Sequence, residues 1–389
     1  MKYFYFISHI IPSNIQKNLQ MNSWEKQLTP LKDLYEIIVV VGEGAYGEVY
    51  KARNILTRDL VAMKKIKRQF GDGFPYSSIR EIALLKSVQH PNIVRLIDVI
   101  TDRNLDVYLI FDYAEYDLDY ILKTAPLSEK QIKSYMRQLL FGLYVLHQRN
   151  IFHRDLKPQN ILVKASNVIE IADFGLAKQI SPIERKKRKK PMTSTVITIY
   201  YRPLELFFKA PVYGPEVDIW SLGCIFYEMI KRRPLFYTPM VRKENTESVN
   251  EACVVQQIFT ICGYPTEEDW PGWTSLSEST ELFKSIKVQP TGNLDSFLTS
   301  ELPTEYIKVK PLLLSMLQLN PKKRLPIEDL LTNEYLHNIN NCLDPSQLAR
   351  LSILEKYESK RQQQQQQQQA LRNQQRNDDI APRKVYYRH

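Results

Sequence analysis

His153-Arg154-Asp155-Leu156-Lys157-Pro158-Gln159-Asn160, followed at residues 173–175 by Asp173-Phe174-Gly175, is the stretch on which the reading of this chain turns. Asp155 is placed to accept the proton of an attacking hydroxyl and to orient it. Asn160 and Asp173 bring hard oxygen ligands of the kind Mg²⁺ takes, and Lys157 would neutralise charge on a transferring phosphoryl group. Any one of these acids alone would more often be a helix cap or a surface charge. Together, in this order and at this spacing, they suit attack of a hydroxyl on a phosphoryl group.

Upstream, Gly42-Glu43-Gly44-Ala45-Tyr46-Gly47-Glu48-Val49 fits G-x-G-x-x-G-x-V. Such glycines let a hairpin backbone approach phosphate oxygens closely. Glycines in a turn are often only turns, so the flanks decide. A dinucleotide fingerprint opens into a helix, whereas this run continues into a strand, Val49-Tyr50-Lys51-Ala52. Val61-Ala62-Met63-Lys64 then supplies a strand lysine that can reach the α- and β-phosphates, and Glu81 offers the carboxylate to hold it, in a pair expected to form in the active state.

The pattern around these motifs changes character along the chain. From Tyr35 to Lys67, β-branched and aromatic residues alternate with turn signals, which predicts a meander of antiparallel strands, with a further strand ending Tyr108-Leu109-Ile110-Phe111. Arg80–Val88, Glu129–Arg149 and Pro215–Arg233 carry apolar residues at three- and four-residue spacing and read as helices. A small β-rich lobe is therefore expected before a larger helical one, joined near Asp112-Tyr113-Ala114-Glu115. The 389 residues carry 43% hydrophobic and 25% charged side chains, with no apolar run long enough to span a bilayer. Met1–Ile11 has one cation before an apolar run, but Ser8, His9 and Pro12 interrupt it and no small-residue cleavage pattern follows. Cys224, Cys253, Cys262 and Cys342 lie far apart without metal-ligand spacing and read as reduced, mostly buried thiols.

On these residues the chain resembles the eukaryotic protein kinases, and Lys157 is the serine/threonine form of the catalytic-loop motif. The resemblance implies an α+β, bilobal protein kinase fold: a small antiparallel β-rich N-lobe with one regulatory helix, and a larger, mainly helical C-lobe. It divides the chain into an N-terminal extension at 1–34, a kinase domain at 35–337 (N-lobe 35–111, hinge 112–117, C-lobe 118–337), and a glutamine-rich tail at 338–389, expected to be disordered around Gln362–Gln369. It implies ATP and Mg²⁺ as cofactors. Val41, Gly42, Glu43, Gly44, Ala45, Tyr46, Gly47, Val49, Ala62, Lys64, Phe111, Asp112, Ala114 and Asp117 would surround the nucleotide. Phe111 stands behind the adenine, Asp112 and Ala114 give hinge backbone contacts, and Asp117 faces the ribose. Lys64, Glu81, Asp155 and Lys157 carry the catalytic roles, and Asn160 and Asp173 the metal.

A closer similarity is to cyclin-dependent kinases, through Pro75-Tyr76-Ser77-Ser78-Ile79-Arg80-Glu81 and Asp218-Ile219-Trp220-Ser221-Leu222-Gly223-Cys224-Ile225-Phe226. Within them the chain is similar to the Mediator-associated, cyclin C-dependent kinase. The residues concerned are Phe111–Leu118, Arg80–Leu85, the insert between Phe236 and Val254, and the glutamine run. That implies a cyclin of the C type, Mediator kinase-module subunits, a nuclear location and protein substrates such as the RNA polymerase II heptad-repeat tail. An elongation or cell-cycle cyclin-dependent kinase is the rival within the class, and a non-catalytic scaffold or a nucleic-acid binder are rivals outside it. The formal charge of +10 reports only long-range attraction to anions, and Arg185–Lys190 holds much of it, so no sequence-specific nucleic-acid binding and no membrane role are expected. Pro203-Leu204-Glu205 departs from the usual Ala-Pro-Glu, though Glu205 can still pair with a buried arginine, for which Arg324 is the candidate. Thr193 is a candidate phosphosite, with Arg80, Arg154 and Lys178 near enough in the pattern to clamp a phosphate.

Overall fold

Alternating apolar residues from Tyr35 onward build an antiparallel sheet in the computed structural model, which describes residues 30–44, 47–66, 76–102, 106–180, 199–239, 241–243, 246–248, 250–278, 280–286 and 292–337. Ala45, Tyr46, Pro75, the basic run 185–190, Thr193, Cys342 and the glutamine tract lie outside those residues. A one-turn helix, α1 (Leu31–Leu34), leads into strands β1 (Tyr35–Gly44), β2 (Gly47–Asn54) and β3 (Leu60–Ile66), helix α2 (Tyr76–Ser87), and strands β4 (Leu96–Thr101) and β5 (Val107–Asp112). The sheet order is β1-β2-β3-β5-β4, antiparallel throughout. One sheet face closes on a small cluster of Tyr35, Ala52, Val61, Met63, Tyr108 and Ile110, against which Leu31 and Leu34 pack. The one-turn helix is held to the sheet because those two leucines cover an apolar surface.

The other face shares the main core. Ile66, Leu109 and Phe111 join Ile82, Leu85 and Val88 there. Helix α2 starts a turn before the expected Arg80, since Ser78, Glu81, Ile82 and Leu85 form one buried stripe at three- and four-residue spacing. A glutamate on that stripe is costly unless it is paired.

The join is shorter than the expected 112–117. Asp112 still ends β5, and Tyr116–Asp117 form β6, which pairs with β8 (Ile161–Val163), the strand after β7 (Ile151–Phe152), and through it with β9 (Ile169–Ile171). Only Tyr113, Ala114 and Glu115 are left as the extended link. The C-lobe helices follow: α3 (Leu118–Thr124), α4 (Glu129–Gln148), α5 (Leu204–Phe207) and α6 (Glu216–Lys231). Ser128 and Gln131 form a reciprocal capping box that starts α4, and Arg149 is its C-cap. The insert after Phe236 contains a hairpin, Val241–Lys243 with Thr246–Ser248.

Helix α6 is buried over almost its whole length. Trp220 stacks on Phe236 with ring centres 5.5 Å apart, and Gly223 lies where a Cβ would press within 3.1 Å of Leu317 and Met316. Arg324 crosses the Trp220 ring at 5.0 Å and meets Glu205 at 2.6 and 3.0 Å through its two terminal nitrogens, both side chains being almost fully buried. Its remaining donors reach the carbonyls of Glu216, Gln318 and Leu319. The departure at Pro203-Leu204 thus leaves the Glu205 pairing intact, with Pro203 in the N-cap position of α5. Of the cysteines, Cys224 is buried, Cys262 partly buried and Cys253 exposed, so the expectation of mostly buried thiols holds in full only for Cys224.

Replacing Arg324 by Met should strand the Glu205 carboxylate without its partner and cost about 3–5 kcal/mol. Urea unfolding read by tryptophan fluorescence measures this, and a loss below about 1 kcal/mol would show the pair to be structurally dispensable.

Candidate active site

Two hairpin ends and one helix bring the expected residues together. Asn160 immediately precedes β8 and Asp173 stands two residues after the end of β9, while the register pairs Ile161 with Ile171. The Ala172 amide donates to the Asn160 carbonyl at 2.9 Å, so the two candidate metal ligands arrive at the same end of one hairpin. Asn160 donates its side-chain nitrogen to the Asp155 carbonyl at 2.8 Å and to Asp155 Oδ2 at 3.0 Å. With the nitrogen so used, the amide oxygen is the atom left for a hard cation. Lys157 Nζ lies 2.8 Å from Asp155 Oδ2. Asp155, Lys157 and Asn160 therefore form one hydrogen-bonded group.

Lys64 reaches this group from the N-lobe. On β3 it stands opposite Val49 of β2 and Leu109 of β5. Its ammonium meets Glu81 Oε1 at 2.8 Å and Oε2 at 3.2 Å, and Asp173 Oδ1 at 3.3 Å. Burial pulls the lysine pKa down, but the charges of Glu81 and Asp173 outweigh it and hold the ammonium above its ordinary value. At Asp173 burial pushes the carboxyl up, and Lys64, His153 and Lys157 more than reverse this, leaving it below the usual range. Asp173 is thereby kept ionised, as a cation ligand must be.

The backbone of the group is strained and anchored. Arg154 (φ 68°) and Asp173 (φ 61°) both occupy the left-handed region, which costs a non-glycine residue of order 1–3 kcal/mol. At Arg154 the cost is offset by Asp218 at the start of α6, whose side chain has no exposed surface. It accepts the amides of His153 at 3.0 Å and Arg154 at 2.8 Å, and contacts His147 Nε2 at 2.9 Å. Burial alone would raise the Asp218 pKa, and the His147 bond with the neighbouring histidine charges and the Arg154 amide holds it low instead. His153 reaches the Ala172 carbonyl at 2.9 Å and meets Phe174 edge-on at 5.1 Å, tying the two motifs side by side. Sequence reasoning placed Asp218 on a buried helix without assigning it a role. An acid opening the run Ile219-Trp220-Ser221-Leu222 was the available signal, since a buried carboxylate demands partners.

Around the nucleotide space, Val49 and Ala62 are partly buried, Phe111 is buried in the main core, and Val41 is half exposed. Glu43 pairs in register with Glu48, and Gly44 with Gly47. Gly47 (φ 144°) is required by the sheet itself, because a Cβ there would fall 1.7 Å from the Lys65 carbonyl oxygen, whereas Gly42 faces open space. Asp112 turns its carboxylate to Arg95 at 3.3 Å and Lys164 at 3.8 Å, and its backbone pairs in register with Val61 of β3. Asp117, expected at a ribose, caps α3 by accepting the Tyr120 amide at 2.7 Å. Arg154 directs its guanidinium to the Leu176 carbonyl and to Tyr213 Oη at 2.8 Å, while Arg80 is exposed. Their expected phosphate target, Thr193, falls outside the described residues.

Below the segment that follows, Tyr201 Oη donates to Glu228 Oε2 at 2.6 Å within α6. Burial pushes Glu228 up to about 7, a rise that the Tyr201 bond moderates.

The sequence matches the family described as Protein kinase domain over residues 35–336. It is 37% identical over 334 residues to the Serine/threonine-protein kinase ppk23 of Schizosaccharomyces pombe, covering 85% of this chain and 79% of that one. It is 37% identical to Cyclin-dependent kinase 12 of Drosophila melanogaster and 38% identical to Cyclin-dependent kinase G1 of Arabidopsis thaliana, over 79% and 77% of this chain. The matched regions span only 26% and 48% of those two relatives. Among solved structures, the yeast RNA Pol II CTD kinase CTDK-1 complex contains a chain that superposes with a TM-score of 0.67 at 34% identity. That match covers 81% of this chain and 96% of the other.

The Glu228 carboxyl sets a pH dependence of stability. Between its ordinary 4.5 and about 7 the folded chain keeps a proton that the unfolded chain releases, so stability falls as pH rises through that window. The loss attributable to this group is of order 3 kcal/mol. Glu228→Gln should flatten the decline, and denaturation midpoints at pH 5, 6, 7 and 8 report it. Parallel curves for the two proteins would refute the assignment.

Proposed function

This chain belongs to the protein kinase family and is a cyclin-dependent-kinase-like protein serine/threonine kinase; from that premise we propose that it is a cyclin-dependent kinase of the Mediator type. Its proposed substrates are transcription proteins, the RNA polymerase II C-terminal repeat domain among them, and its proposed location is the nucleus. The observation that carries the catalytic half is the contact of one lysine with both lobes, Lys64 with Glu81 at 2.8 Å and with Asp173 at 3.3 Å. An intact set of this kind weighs against the non-catalytic scaffold.

ATP and Mg²⁺ are the proposed cofactors, held between the Gly42–Gly47 hairpin, the Asp112–Ala114 backbone and the end of the β8–β9 hairpin. Asn160 and Asp173 fit Mg²⁺, supplying one amide and one carboxylate oxygen to a cation that takes the rest of its shell from phosphate and water. When bound, the metal would neutralise charge on the phosphates. Lys64, fixed by Glu81, would hold the α- and β-phosphates. Asp155, oriented by Lys157 and Asn160, would accept a hydrogen bond from the substrate serine or threonine hydroxyl and take its proton as that oxygen bonds to the γ-phosphorus and the bond from phosphorus to the bridging oxygen breaks, releasing ADP. Lys157 would stabilise charge on the transferred group.

The Mediator-type reading rests on the similarity of Phe111–Leu118 and Arg80–Leu85 and on the glutamine run, and it brings a cyclin of the C type and Mediator kinase-module subunits as partners. An elongation-type kinase is favoured by different observations, namely the likeness to Cyclin-dependent kinase 12 and to the CTD kinase complex. Purification of the tagged chain from its own cells, with mass spectrometry of what accompanies it, separates the two. Mediator subunits are expected, and an elongation or mitotic cyclin without them would reject the first reading.

Asp155→Asn should reduce phosphoryl transfer by the cyclin complex about 10²–10⁴-fold while leaving its unfolding transition in place. Radiolabelled phosphate incorporation into a heptad-repeat peptide measures this, and unchanged turnover would remove Asp155 from its role.

A further inference from the structure

Strand β1 is the end strand of its sheet among the described residues, and it exposes five consecutive β-branched side chains. Ile37, Ile38, Val39, Val40 and Val41 are each between 42% and 54% exposed. An alternating strand hides every second residue, so exposure of the entire run needs a cause. Two register shifts, between Ile37 and Val39 and between Val40 and Gly42, interrupt the alternation along the run. A groove of about 650 Å³ adjoins the run, lined by the apolar Leu31, Tyr35, Ile37 and Ile55 and by the charged Lys32, Glu36 and Arg58. An exposed apolar run on a sheet edge is a template for pairing with further chain, and soluble proteins cover or charge such edges.

We propose that residues 3–11 of this same chain, Tyr3-Phe4-Tyr5-Phe6-Ile7-Ser8-His9-Ile10-Ile11, dock along the free edge of β1 and into the adjoining groove. The described chain begins at Pro30, and Leu31 already lines the groove, so the N-terminal segment enters beside it. The intervening residues 12–29 extend to at most about 60 Å, well beyond the length of a ten-residue strand. Aromatic and β-branched residues dominate the segment, which suits it to an added strand and to an apolar groove alike. It holds no acid and only His9 as a titratable base, matching an edge that itself lacks charge from Ile37 to Val41. Because β1 runs directly into Gly42–Gly47, docking would stiffen the strand that carries the glycine hairpin.

Hydrogen exchange of the backbone amides at 36–41 tests the docking, comparing the full chain with a deletion of residues 2–11 and with the double substitution Phe4→Asp, Phe6→Asp. Both variants are expected to exchange these amides at least tenfold faster than the full chain at concentrations where light scattering gives a monomer. Equal exchange in all three proteins overturns the proposal. Protection that grows with protein concentration also overturns it, since a second copy would then be the cover.

Discussion

A single carboxylate without exposed surface holds the loop His153–Asn160 in place. Asp218 sits at the start of the most deeply buried helix and accepts two successive backbone amides from a loop whose Arg154 is in the left-handed region. An ionised acid in that setting is tolerable only because every partner is present, so its position determines theirs. Through His153 the constraint passes to the Ala172 carbonyl and the Phe174 ring, and so to Asp173. Through the loop it passes to Asp155, Lys157 and Asn160. The buried helix is itself held by Arg324, which joins it to Glu205 at the end of the intervening segment.

The two lobes communicate through a second buried charge cluster. Glu81 occupies the core-facing stripe of its helix, where an unpaired acid would be strongly unfavourable, and Lys64 supplies the pairing. Since Lys64 also contacts Asp173, helix, sheet and hairpin share one ammonium. Any shift of the helix from the sheet exposes the cost of a buried carboxylate that has lost its partner. The orientation of α2 is thus an electrostatic condition on the site, and it would give a partner that seats this helix direct leverage over phosphate binding.

At the far side of the N-lobe the chemistry is reversed. The edge strand bears no charge over five residues, and all five are exposed. A small lobe with its own cluster of six buried residues has little apolar area to spare, so a covered edge would add to its stability as well as to its solubility.

How much of this was legible depends on the range of the interactions. The fold class, the β-to-helix order and the residues Lys64, Glu81, Asp155, Lys157, Asn160 and Asp173 followed from motif order and hydrophobic period, because both are properties of contiguous sequence. The candidacy of Arg324 for Glu205 came instead from the family resemblance. The role of Asp218, the cap at Asp117 and the bulges of β1 were not legible, because each arises from groups that meet only after folding. The Gly47 requirement shows the division most clearly. The motif marks the residue, and the reason lies in a carbonyl of the neighbouring strand, 1.7 Å from where a Cβ would stand. Sequence alone therefore determined which chemistry the chain can perform. The tertiary structure decided which buried charges hold it in place, since desolvation and pairing energies depend on neighbours that no local pattern records.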